Sequence, residues 1–139
     1  MATLTHEMIR NVDEFIDTNH DRFSRLGDQL FEAFRYDPQK GRVATQIRNL
    51  QQIVCAATRF ADIEDFVKNQ MGKTGGDQWR QVGPHVLAHL DELRKQSQQV
   101  ASTPEQAMAV RLRLARGWVR AVVSQYLYRV ALDQLEPAS

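Results

Sequence analysis

Apolar side chains recur at three- and four-residue intervals along most of the chain, the spacing that gathers them on one face of an α-helix. The longest uninterrupted run is Thr45–Met71, where Ile47, Leu50, Ile53, Val54, Phe60, Ile63 and Val67 follow one another with no proline or glycine between them. Its apolar band is wide, which predicts a central helix covered on more than one side, around which the rest of the chain is organised. Arg48, Gln52, Cys55, Arg59 and Asp62 share another face of that helix. The eleven residues from Arg48 to Arg59 are close to three full turns, so both guanidiniums are expected on one side.

Before this run, Met8, Ile9, Val12, Phe15 and Ile16 form an amphipathic pattern with Thr5 as its cap. Phe23, Leu26, Leu30, Phe31 and Phe34 form a second. Thr18–Asp21 (TNHD) marks a break between them, although one long bent helix and two short ones both fit. Gly27 lowers helix propensity there by about 1 kcal/mol relative to alanine without ending the helix. Tyr36–Gly41 reads as a connection, because proline and glycine fall close together. Gly72–Gly76 (GKTGG) predicts a flexible loop over about 72–78, with Trp79 and Val82 anchoring its far side. Pro84 suits the first position of the following helix. The last helix has the clearest start, since Thr103-Pro104-Glu105-Gln106 combines a cap, a first-turn proline and a glutamine three residues after the cap. It runs to about Leu135, ahead of Pro137, and thirty-odd residues span roughly 45 Å. With no convincing period-two alternation, the expected fold is all-α: one domain over 1–139, a compact bundle of about five helices with two long ones.

Composition narrows the class. A hydrophobic fraction of 42% and a charged fraction of 25% over 139 residues are those of a soluble globular protein. No apolar run reaches the roughly 20 residues of a membrane span, and MATLTHEMIR lacks a signal-peptide pattern. A single cysteine excludes an internal disulfide and fits the cytoplasm. Net charge is only +1, but it is unevenly spread: residues 1–40 hold five Lys/Arg against eight Asp/Glu, and residues 81–139 hold seven against five. An acidic front and a basic rear can still attract polyphosphate if the arginines converge.

The candidate chemistry is binding rather than catalysis. Cys55 has no local base to activate it. Glu64-Asp65 and Asp91-Glu92 are sequence neighbours and so point different ways on a helix. GKTGG lacks the spacing of a phosphate loop. His85 and His89 lie four apart, a spacing that can share a metal, but the glutamate of the hydrolytic zinc motif is missing and a third ligand would have to come from His6 or His20; neither metal nor other cofactor is expected. Arg113, Arg116 and Arg120 at i, i+3 and i+7 form a stripe on the last helix, and planar guanidinium donors suit phosphate oxygens. The plainer reading of these arginines is surface solubility and local pairing, for example Arg59 with Asp62.

Thr45-Gln46-Ile47-Arg48, followed by Leu50 and preceded by a short polar connector after an amino-terminal helix, resembles the segment with a threonine shortly before Ile-Arg in the small helical subunit of type III-A CRISPR ribonucleoprotein complexes, the Csm small-subunit family. Arg111–Gly117 (RLRLARG) occupies the position of that family's late basic helix, although Leu114–Trp118 replaces the tyrosine among alanines often found there. The resemblance implies a non-catalytic cytoplasmic subunit of an RNA-guided antiviral complex. Its partners would be guide RNA and target RNA, the other subunits and further copies of itself, with no membrane. Contacts to the RNA backbone would be independent of sequence. Arg48 is carried over from the motif; Arg59, Arg113, Arg116 and Arg120 come from helix geometry. A helical protein–protein adaptor without nucleic acid and a metal-binding bundle built on the histidines remain alternatives.

Overall fold

A computed structural model describes residues 3–35 and 43–135, and every regular element among them is helical. Six helices follow in order: α1 His6–Thr18, α2 His20–Ala33, α3 Val43–Ala56, α4 Phe60–Gly72, α5 Asp77–Val100 and α6 Pro104–Leu135. The expected Tyr36–Gly41 connection and the stop at Pro137 lie outside the described residues.

The two amino-terminal helices form as the capping residues dictate. Thr5 Oγ1 accepts a hydrogen bond from the Met8 N–H at 3.1 Å and starts α1. Asn19 ends it, donating its side-chain amide to the Phe15 carbonyl at 2.9 Å and leaving the helical range at φ −100°, ψ 9°. Two short helices joined through one residue are the outcome.

The Thr45–Met71 run is not one helix. It breaks at residues 57–59, where Arg59 is extended at φ −129°, ψ 131° and opens α4. The break lets both halves reach the core, with Leu50 and Val54 buried before it and Phe60 and Ile63 after it. Helical periodicity is preserved across the bend, so the hydrophobic pattern alone carries no sign of it. The two long helices are instead α5, of 24 residues, and α6, of 32. The expected loop over 72–78 shrinks to Lys73–Gly76, closed by the Arg80 guanidinium, which donates to the Met71 carbonyl at 2.9 Å and the Lys73 carbonyl at 3.1 Å. Pro84 therefore sits inside α5 rather than at its start. One backbone hydrogen bond is forgone there, on the exposed side where water can serve the free carbonyl.

The element that everything else packs against is α6, which touches all five other helices. Its cap forms with a shift of one residue: Thr103 Oγ1 accepts from the Gln106 N–H at 3.1 Å, while Gln106 Oε1 accepts from the Ser102 N–H, also at 3.1 Å. Leu114, Trp118, Val122 and Tyr126 are fully buried along one row, and Leu112, Val119 and Val123 bury the adjoining side of the same helix. A helix apolar over more than half of its circumference needs neighbours on several sides.

Close approach to α6 depends on glycine in α2. A Cβ built on Gly27 would lie 2.5 Å from the Val122 carbonyl oxygen and 2.8 Å from Gln125 Cβ. Neither atom can swing aside, because one is backbone and the other the root of a side chain. Gly27 is thus a packing residue as well as a weak helix former. Gly27→Ala should gain intrinsic helix propensity yet lower stability by about 1–3 kcal/mol, the usual range for overpacking. Urea denaturation checks the sign, because propensity alone predicts a gain.

Candidate nucleic-acid interface

Packing of α1 beside α6 leaves an open groove of about 540 Å³ between them. Val12, Ile16, Gly117 and Ala121 supply its apolar lining. Gly117 permits the narrow spacing there, since an added Cβ would meet Ile16 Cγ1 at 3.0 Å. Arg113, Arg116 and Arg120 line the α6 side together, as their spacing predicts. At 1.5 Å rise per residue they extend over about 10 Å of the helix. All three are exposed.

Their partners differ. Arg113 Nη2 lies 3.8 Å from Asp13 Oδ1 across the groove, with the two side chains 44% and 66% exposed. A pair so wet and so long contributes at most about 1 kcal/mol and yields readily to another anion. Arg116 Nη2 donates to the Ala57 carbonyl at 3.5 Å, at the broken end of α3 where carbonyls lack helical partners. One guanidinium fork thus helps hold the α3–α4 bend while still facing the groove.

Arg48 and Arg59 do not join them. The bend at 57–59 leaves Arg48 on α3 and Arg59 in the break itself, at the start of α4, which removes the common face expected from a continuous helix. Arg59 Nη2 instead meets Asp62 Oδ1 at 3.0 Å, and Asp62 lies in the first turn of α4, where the helix dipole favours a carboxylate. Arg48 is exposed on α3. Its charge partly opposes the burial that pushes the Tyr126 phenol above its ordinary pKa.

Sequence reasoning missed the opposite wall. Asp13, Asp17 and His20 line the groove from the α1 side. The pattern of α1 identifies its core face but not what its polar face looks towards, which is fixed only when α1 docks on α6. The groove is therefore not uniformly positive: a guanidinium row faces two carboxylates.

The histidine pair has another use. Trp118 Nε1–H donates to His89 Nδ1 at 3.1 Å between α6 and α5, so that ring nitrogen carries no proton. The Phe23 ring lies 5.7 Å from the imidazole, centre to centre. Burial first, and the nearby Arg22 charge second, lower the His89 pKa to about 4. His85 remains exposed on the neighbouring turn, and no group of three or more potential metal-ligating side chains occurs among the described residues.

A neutral folded His89 gives the fold a pH dependence of definite sign. The unfolded chain takes up the proton near pH 6.5 and the folded one only near 4, so stability is complete above 6.5 and is lost as pH falls through that window. The loss is on the order of 2 kcal/mol once solvent screening of a half-buried ring is allowed for. Urea midpoints between pH 7.5 and 4.5 should show it, and His89→Gln, which keeps an acceptor for the indole without titrating, should flatten that part of the profile.

In comparisons with known proteins, no family model, no curated protein and no solved structure matches the chain.

Proposed function

We propose that the chain is a non-catalytic small subunit of a type III CRISPR RNA-guided effector complex, binding the backbone of the guide–target RNA duplex without reading its sequence and contacting neighbouring subunits. The observation that carries this reading is the exposed row Arg113, Arg116 and Arg120 along one groove of the longest helix. Guanidiniums held on a helix buried along its other sides are pre-positioned for phosphate, which lessens the freedom lost on binding. The resemblance at Thr45–Arg48 supports it independently of that geometry, and Arg48 would be a further backbone contact. Arg59, paired with Asp62, contributes least.

A second reading, a helical protein–protein adaptor, is favoured by one observation. Near its carboxyl end α6 exposes Leu127, Tyr128, Leu132 and Leu135, with Tyr128 at 57% and Leu135 at 76%. Apolar residues left outside in such a cluster suit a protein contact. The two readings are compatible in a subunit that holds RNA on one part of α6 and a neighbour on another.

Purification from the native host, with mass analysis of the associated proteins and RNA, separates them. An RNA-containing assembly is expected; partners without RNA would favour the adaptor. In direct binding, Arg113→Glu with Arg120→Glu should weaken affinity for RNA at least tenfold at low salt and reduce the slope of log affinity against log salt by about 1–2. Arg59→Ala should leave both nearly unchanged. Circular dichroism of each variant confirms that the helices remain, and unchanged RNA binding by the double variant would exclude this groove as the contact.

A further inference from the structure

A row of arginines facing Asp13 and Asp17 is a poor arrangement for polyphosphate alone, because carboxylates on the far wall repel phosphate. The charges become complementary if the ligand presents anionic oxygens to one wall and hydroxyl donors to the other. Ribonucleic acid in A-form does so: its wide, shallow minor groove displays 2′-hydroxyls beside the phosphates, and an ionised carboxylate can only accept hydrogen bonds. Asp13 and Asp17, four residues apart on α1, are separated by about 6 Å along the helix axis, so they form one ridge. Both are exposed, and among the described residues the only tie on Asp13 is the 3.8 Å pair with Arg113.

We propose that the carboxylate wall of this groove selects ribose: Asp13 and Asp17 accept hydrogen bonds from 2′-hydroxyls of a backbone whose phosphates lie on Arg113, Arg116 and Arg120. The inference rests on the RNA-binding reading above and adds to it a discrimination between sugar types. The carboxylates lower affinity for any polyanion and return part of that loss only when a hydroxyl donor is present. Selectivity thus arises from a penalty levied on the wrong sugar as much as from an attraction to the right one.

The test compares two duplexes of one sequence with the full-length protein. One is a 20-base-pair RNA duplex. The other carries 2′-fluoro sugars in place of the 2′-hydroxyls, which keeps the A-form shape and the phosphates while removing the donor. Fluorescence anisotropy at fixed salt should show the wild type favouring the hydroxyl-bearing duplex by about tenfold, the effect of roughly one net hydrogen bond to a charged group. Asp13→Ala with Asp17→Ala should bring the two affinities to within about twofold of each other, chiefly by raising that for the fluorinated duplex. Equal affinities in the wild type, or a preference that survives the double substitution, would overturn the inference while leaving backbone binding intact. Failure of the wild type to bind either duplex at low salt would overturn the RNA reading and this inference together. Both aspartates are exposed, and far-ultraviolet circular dichroism verifies that the substituted protein is folded.

Discussion

Burial of α6 on the sides away from its arginine face is the constraint from which the rest of the architecture follows. A helix whose Val110, Leu114, Trp118, Val122 and Tyr126 are all withdrawn from water needs a surrounding shell, and α1 to α5 are that shell. Such a shell closes only if its members come close enough to exclude water without gaps. Gly27 allows this where α2 meets the Val122 carbonyl, and Gly117 where Ile16 of α1 leans on α6. The break after α3 serves the same end, since a straight helix over Thr45–Met71 could not follow α6 and then turn to run beside α5. The groove between α1 and α6 is what this packing leaves open.

Much of the helical content was legible in the residues, for reasons that can be named. Thr5 and Thr103 act as caps because their hydroxyls reach backbone N–H groups with no helical partner, a local effect that needs no tertiary structure. The stripe Arg113, Arg116 and Arg120 was legible for an equally local reason, the helical repeat. What stayed hidden depends on contacts between distant segments. The bend at 57–59 interrupts the backbone but not the hydrophobic period. Pro84 looks like a beginning in sequence and is tolerated in an interior because its side of α5 faces water. The six helices among the described residues agree with the expected bundle of about five, and the bend at 57–59 accounts for the additional one. Asp13 and Asp17 could be assigned to a polar face, but not to the far wall of an arginine groove.

The arginines of this chain divide between internal and outward work. Arg80 closes the carboxyl end of α4, Arg94 pairs with Glu64 above the Phe60 ring, and Arg129 pairs with Asp28 and Glu32 beside Phe31. Each ties helices or helix ends together, and each already has acceptors for its donors. Arg116 stands between the two groups, with one long contact to the Ala57 carbonyl and the groove before it. Sequence periodicity cannot tell these roles apart, because it locates a guanidinium on a helix without saying what lies opposite. Geometry makes the distinction through the acceptors each one meets.

The hydrogen bond from Trp118 to His89 has a bearing on uniqueness of the fold as well as on its strength. Smooth apolar surfaces on α5 and α6 would tolerate sliding past each other, since leucine and valine accept many alignments. Polar links inside that seam do not: Trp118 donates to His89, and Arg111 Nε donates to the buried Ser97 Oγ at 2.8 Å. A displacement of one turn would strand the indole N–H away from water, at a penalty of about 1–3 kcal/mol, enough to empty the slipped state. The pair acts as a vernier mark between the two longest helices, and by fixing their alignment it fixes where along α6 the groove begins.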